Sequence, residues 1–189
     1  YDLVVFDWDG TVDTTGLIAR GICIAAKTLG YKEPSLALAR ATIGLDWQHA
    51  ISIAVPDCPP EEYLHFNQVY RDWYIPNERK VFLYDGMKDL MNELKSLGVQ
   101  MAVATGKSRQ GLTRLAPYFV STQTVDKCEP KPSADMLEKI AIETQIPVER
   151  TIMIGDSVFD LVMAARYGCD SVAMLYGAGL RAELAQHAP

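Results

Sequence analysis

The stretch Leu3-Val4-Val5-Phe6-Asp7-Trp8-Asp9-Gly10-Thr11 decides how the rest of the chain is read. A short apolar run with β-branched residues ends in two acids and a glycine, the pattern of a buried central strand breaking into a loop at its carboxyl end. Ligands of open α/β sheets bind at that end. On an extended backbone Asp7 and Asp9 project to one side and Trp8 to the other, so two carboxylates are expected to share a small space. Such crowding is unfavourable unless a cation neutralises it or one acid holds a proton. The stretch therefore points to a metal ion, a bound proton, or both.

Downstream, Ile18, Ile22, Ala25 and Leu29 recur at helical spacing, and Gly30 supplies a stop. From Pro34 to about Asn77 the pattern is helical, with no convincing strand. Leu36, Leu38 and Ile43 precede Gly44, and Asp46 to Val55 and Pro60 to Tyr74 read as further helices parted by Pro56-Asp57-Cys58-Pro59-Pro60. Tyr63, Phe66, Tyr70, Trp73 and Tyr74 fall largely on one helical face. Such spacing demands only burial, so this stripe is expected to be core rather than a ligand cage.

The pattern changes at Val81. Tyr84-Asp85-Gly86 is a turn, Leu90, Met91, Leu94 and Leu97 mark an amphipathic helix stopping at Gly98, and Val99 to Ala104 reads as a strand running into Thr105-Gly106-Lys107-Ser108. There follow a weaker strand near Phe119 to Thr122, a helix from about Ser133 to Thr144, a strand Thr151 to Ile154, a helix from about Ser157 to Tyr167 and a strand around Ser171 to Leu175. Strands alternating with helices predict an α/β fold, a Rossmann-like parallel sheet with right-handed crossovers and helices on both faces. The early helical block interrupts that series. Residues 14–80 are therefore expected to be a small inserted α-helical module over the catalytic edge of a discontinuous core, 1–13 and 81–189.

A chain of 189 residues has room for one sizeable core and a subsidiary module. With 49% hydrophobic and 22% charged residues and no low-complexity tract, disorder is not expected. A net charge of -6 without a Lys/Arg block gives nucleic-acid binding no electrostatic support, and an anionic ligand would need a locally positive pocket. Cys23, Cys58, Cys128 and Cys169 lack the spacing of a zinc site or a disulfide scaffold and are expected to stay thiols. His49, His65 and His187 are too scattered for a histidine-ligated metal. No apolar run reaches membrane-spanning length, so no membrane partner is expected. The chain opens on a strand rather than on a signal peptide, which makes the cytoplasm the expected compartment. Nothing in the pattern favours a particular oligomeric state.

Three strand ends carry polar groups: Asp7 and Asp9, Thr105 and Gly106, and Gly155-Asp156-Ser157 with Asp160 close behind. In a parallel sheet the carboxyl ends of neighbouring strands lie together, so these groups should converge. The set suits phosphoryl transfer. A carboxylate nucleophile takes a phosphoryl group from an ester only if a divalent cation offsets their mutual repulsion. Asp156 would complete a hard, oxygen-only Mg²⁺ site with Asp7. Thr105 and the Gly106 amide would hydrogen-bond the transferring oxygens, and Lys131, in Glu129-Pro130-Lys131-Pro132, would supply a fixed positive charge beside nucleophile and phosphate.

Asp7-Trp8-Asp9-Gly10-Thr11, Thr105, Lys131-Pro132 and Gly155-Asp156-Ser157-Val158-Phe159-Asp160 resemble, in order and spacing, the four motifs of the haloacid dehalogenase superfamily. The likeness spans nearly the whole chain; the helical insertion looks like that family's type 1 cap, and the overall resemblance is to phosphoglycolate phosphatase-like members. It implies Asp7 as nucleophile, forming an aspartyl-phosphate, and Asp9 as general acid toward the leaving alcohol and then base for the hydrolytic water. It implies Mg²⁺ held by Asp7, the backbone carbonyl of Asp9 and Asp156, with Asp160 ordering metal-bound water or Lys131. An acid at Asp9 distinguishes phosphate-ester hydrolysis from dehalogenation and phosphonate cleavage within the family. The expected activity is hydrolysis of a small phosphorylated metabolite. Alternatives are a pyrophosphatase or phosphosugar mutase on the same scaffold, and a non-catalytic regulatory or binding module.

Blander readings stand beside these. Asp9-Gly10 as part of an EF-hand fails, because Thr11 and Val12 stand where an acid or amide and a glycine are needed. Ser157 and Asp160 also satisfy a helix capping box, and Asp156 a simple turn. Gly106-Lys107-Ser108 resembles the end of a P-loop, but Met101 stands where its leading glycine belongs, so Lys107 is expected at the surface or facing the inserted block. Lys131 as an exposed lysine in a proline turn is the ordinary alternative for that residue. Compared with the family, Asp13 follows one residue early, Arg109 to Tyr118 is short for a crossover, and the chain stops at Pro189 before an expected final strand or helix. These departures predict omitted residues near Val12/Asp13 and between about Thr113 and Pro117, where consecutive Cα atoms would part by more than about 3.8 Å.

Overall fold

The computed structural model describes residues 1–45, 47–77, 83–107 and 116–187. At its centre β1, Leu3–Phe6, is flanked by β2, Gln100–Thr105, and β4, Thr151–Gly155; β3, Ser121–Thr124, and β5, Asp170–Ala173, lie outside them. The five strands pair in parallel in the order β3-β2-β1-β4-β5. Sequence order runs outward from β1 to β3, then returns to β4 on the other side of β1. That reversal opens a crevice at the strands' carboxyl ends.

All four residues of β1 are buried because helices cover both faces of the sheet. Leu3 and Val5 cluster with Met136, Leu137 and Ile140 of α6, Asp135–Thr144, and with Met163 and Ala164 of α7, Val158–Tyr167. Val4 and Phe6 cluster on the opposite face with Met87 and Met91 of α5, Met87–Ser96. Burial of each such large side chain contributes about 1.5–3 kcal/mol relative to exposure. Trp8 joins the second cluster, its ring edge-on to Phe119 at 6.0 Å.

The chain divides into two compact units, Tyr1–Asp13 with Leu83–Pro189, and Thr14–Phe82. The second contains α1, Gly16–Thr28, α2, Leu36–Ala41, α3, Trp47–Ala54, a short 3-10 turn at Pro60–Glu62, and α4, Tyr63–Asn77. Phe66 of α4 is fully buried against Ile22, Ala26 and Ile51, with Tyr63, Val69 and Tyr70 packed around the same cluster. Of the aromatic stripe, Phe66 and Tyr74 are buried and Tyr63 and Tyr70 are partly buried against the same core. Trp47 lies 4.8 Å from Tyr70, which stacks on Tyr74 at 5.2 Å.

Some details differ from expectation. The weak strand begins at Ser121 rather than Phe119, whose ring packs edge-on to both Phe6 and Trp8. A short helix α8, Arg181–Leu184, has no predicted counterpart, because four residues are too few to display a period. At Val12/Asp13, where omission is expected, the backbone forms a hydrogen-bonded turn: the amides of Val12 and Asp13 both donate to the Trp8 carbonyl at 3.0 Å. The other expected seam falls largely on 113–115, outside the described residues, as does part of the stretch from Arg109 to Tyr118.

Candidate active site

The register carries the polar groups to one edge. Phe6 pairs with Val103 and with Ile154, so Asp7, Thr105 and Asp156 all lie one or two residues beyond the same rung. The Asp7 amide donates to the Ile154 carbonyl at 2.8 Å, extending the ladder just past the strand. There Asp7, Asp156 and Asp160 each bring a carboxylate oxygen within 4.8 Å of the others. They are 7%, 2% and 0% exposed, so three acids share a space almost closed to water.

Lys131 enters that space from the loop before α6. Its Nζ donates to Asp7 Oδ1 at 2.5 Å and to Asp160 Oδ1 at 2.6 Å. The lysine is therefore buried and paired, not a solvated turn residue. Burial alone would lower its pKa, but the charges of Asp160 and Asp7 outweigh that and hold the ammonium above its ordinary range. One ammonium does not balance three carboxylates. Burial pushes Asp7 well above the usual carboxylate range; Lys131 pulls against it, and Asp160 and Asp156 add to the rise. Burial likewise raises Asp156, against the hydrogen bond it accepts from the Ala178 amide. Excess buried negative charge on oxygen-only donors fits a hard divalent cation such as Mg²⁺.

Asp9 departs from the expected crowding. Its carboxylate is not part of the three-acid group; Oδ1 accepts from Lys107 Nζ at 2.7 Å. Strand alternation stops at Phe6, and the turn that closes on the Trp8 carbonyl redirects the chain, so the two-residue rule no longer sets where Asp9 points. Lys107, expected at the surface or facing the inserted block, is not at the surface, since its side chain is only 12% exposed. Thr105 is buried at the end of β2, its Oγ1 accepting from the Lys107 amide at 3.1 Å, while Gly106 is exposed beside it.

The two oxygens of Asp160 have different partners. Oδ2 accepts from the Ser157 amide at 3.0 Å and from Ser157 Oγ at 2.6 Å, closing the capping interaction at the start of α7. Oδ1 meets Lys131. The cap locks the rotamer that presents the other oxygen to the lysine.

Sequence reasoning missed the segment after β5. The Ala178 amide donates to Asp156 Oδ2 at 2.6 Å, and a Cβ added at Gly177 or Gly179 would overlap Asp156. The signal available was Gly177-Ala178-Gly179 directly after a strand, where small residues permit close backbone approach.

The model of the haloacid dehalogenase-like hydrolase family matches residues 4–174, a span that includes every acid and lysine of this site. The chain belongs to that family. This haloacid dehalogenase-like hydrolase is 26% identical to "Phosphoglycolate phosphatase" of Vibrio cholerae, over 93% of this chain and 84% of the relative. It is 30% identical to "Putative pyrophosphatase PpaX" of Caldanaerobacter subterraneus, over 90% and 80% of the two chains. Its fold matches the crystal structure of a "predicted phosphoglycolate phosphatase" from Haemophilus somnus, with a TM-score of 0.89, 25% identity and coverage of 100% of this chain and 92% of the other. No helix among the described residues is long and apolar enough to cross a membrane.

Proposed function

We propose that this hydrolase is a Mg²⁺-dependent phosphatase that cleaves a small phosphorylated metabolite through an aspartyl-phosphate on Asp7. The observation that carries the reading is the buried group Asp7, Asp156 and Asp160 around Lys131 at the carboxyl edge of the sheet. Asp7 and Asp156, with the backbone carbonyl of Asp9, would hold the metal. When bound, the cation offsets the repulsion between an anionic nucleophile and an anionic phosphate.

The chain's own residues do the rest. The Asp7 carboxylate attacks phosphorus, and the ester oxygen leaves as the alcohol, taking a proton from Asp9. Asp9 then accepts a proton from the water that attacks the acyl phosphate, releasing inorganic phosphate and restoring the Asp7 carboxylate. Lys131 holds Asp7 in place and adds positive charge beside the transferring group. Thr105 and the Gly106 amide bind its oxygens. Residues 14–82 act as the cap that selects the leaving group, and phosphoglycolate is the first substrate to examine, given the names of several relatives.

Phosphate release from a panel of phosphorylated metabolites tests the proposal. Turnover should disappear in Asp7→Asn and on chelation, and full activity in either condition would refute the mechanism. Pyrophosphate belongs on the panel because of the relative named for that activity. Preferential cleavage of pyrophosphate would replace the metabolite ester as substrate while leaving the chemistry at Asp7 intact.

A further inference from the structure

Both carboxylate oxygens of Asp156 and its backbone carbonyl accept hydrogen bonds. Thr11 Oγ1 donates to its Oδ1 at 3.1 Å, the Ala178 amide to its Oδ2 at 2.6 Å, and the Gly179 amide to its backbone carbonyl at 3.1 Å. Two of these three donors come from one short segment after β5. A Cβ on Gly177 would run into the Asp156 side chain, and one on Gly179 into its carbonyl. Neither glycine has a positive φ, so the need is for space rather than for an unusual backbone conformation.

The segment is itself fastened. Tyr176 Oη donates to the Thr11 carbonyl at 2.9 Å, and the Tyr176 ring lies 4.2 Å from that of Tyr84. Thr11 is thus a shared anchor: its carbonyl holds Tyr176 and its hydroxyl holds Asp156. Tyr84 lies one residue after the chain returns to the first unit at Leu83.

We propose that residues 176–179 are a positioning strap that fixes the Asp156 carboxylate for the divalent cation, with Tyr176 as its clasp. The proposal rests on the reading of Asp156 as a metal ligand. A carboxylate that must be reordered at each binding event binds a cation less tightly than one held ready, and loss of such outer contacts costs about 10–100-fold in metal affinity. Tyr176 touches neither metal nor substrate in this scheme. Its effect is transmitted through Thr11 and Ala178.

The test compares wild type, Tyr176→Phe and Gly177→Ala as full chains, titrated with MgCl₂ after chelation. The readouts are the rise in melting temperature and the Mg²⁺ half-saturation of phosphate release. Tyr1→Phe serves as a control, because it removes a tyrosine hydrogen bond to Asp170 at the amino-terminal end of β5, whereas this segment follows the strand's carboxyl end. In Tyr176→Phe the half-saturation should rise roughly tenfold. Excess Mg²⁺ should restore kcat, with KM unchanged. Gly177→Ala should be worse, and Tyr1→Phe should match wild type.

A Tyr176→Phe protein with wild-type Mg²⁺ response overturns the strap, whether or not Gly177→Ala folds. So does a loss of kcat that excess Mg²⁺ fails to restore, since Tyr176 would then act in the reaction itself. A wild-type protein indifferent to Mg²⁺ in both readouts overturns the metal reading, and the strap with it.

Discussion

Lys131 Nζ lies 2.5 Å from Asp7 Oδ1 with its side chain 6% exposed, and its other close carboxylate partner is Asp160. The ammonium neutralises part of a charge that burial makes expensive. Lys131→Met fills similar volume but leaves both acids without their cation. Breaking a buried pair from one side typically costs about 3–5 kcal/mol, so a loss of that order is expected in urea unfolding at pH 7. The deficit should narrow at pH 5, because burial already favours a proton on Asp7 and lower pH makes that proton easier to hold in place of the missing ammonium. An equal deficit at both pH values would show that lost packing, not charge, dominates.

The raised acids also set a pH dependence. Asp7 and Asp156 bind protons in the folded protein at pH values where the unfolded chain has released them. Stability therefore falls as pH rises above the ordinary carboxylate range and through the folded values. Without divalent cation, melting temperature should decline from pH 5 toward neutrality, and Asp7→Asn should flatten the decline. Mg²⁺ must displace the retained protons, so its apparent affinity should climb with pH and binding should release protons. Calorimetry in two buffers of different ionisation enthalpy measures that release, and a buffer-independent heat would contradict it.

Asp160 separates capping from site chemistry. Removing the cap donor with Ser157→Ala should cost about 1 kcal/mol of stability while leaving most turnover in place. Asp160→Asn keeps the side-chain shape but removes the charge facing Lys131, so turnover should fall much further than in Ser157→Ala. Melting curves and phosphate-release rates on the two variants decide the point. Equal loss of turnover in both would mean that Asp160 matters only through the helix start.

The parallel α/β sheet with a central β1 and the convergence of Asp7, Asp156 and Lys131 were legible because they depend on patterns that survive folding: an apolar run for a central strand, acids at its end, alternating helices. Phe6 and Asp7 show why this worked, since both faces of β1 are covered and only its end is polar. Asp9 shows where it stopped working. Strand periodicity predicts direction only while the backbone stays extended, and the turn on the Trp8 carbonyl ends that. The pairing of Lys107 with Asp9 was not legible for a related reason, because its partner is ninety-eight residues away and nothing local marks it. Tyr176 to Gly179 carried a readable small-residue signal, but its target, Asp156, is defined only by the fold.

The Asp9–Lys107 pair yields a prediction about leaving groups. Lys107 Nζ lies 2.7 Å from Asp9 Oδ1, and both side chains are mostly buried, so the lysine orients the carboxyl group that, in the proposed reaction, protonates the departing alcohol. A general acid typically contributes 10²–10⁴-fold, and Asp9→Asn should lose about that much on alkyl phosphates. Nitrophenyl phosphate needs little protonation and should suffer far less. Misplacing the acid without removing it is milder, so Lys107→Met should cost roughly tenfold to a hundredfold on alkyl esters. The diagnostic quantity is the ratio of kcat/KM on the two substrates. If Lys107→Met lowers both equally, the lysine serves phosphate binding, and Asp9 is oriented by something else.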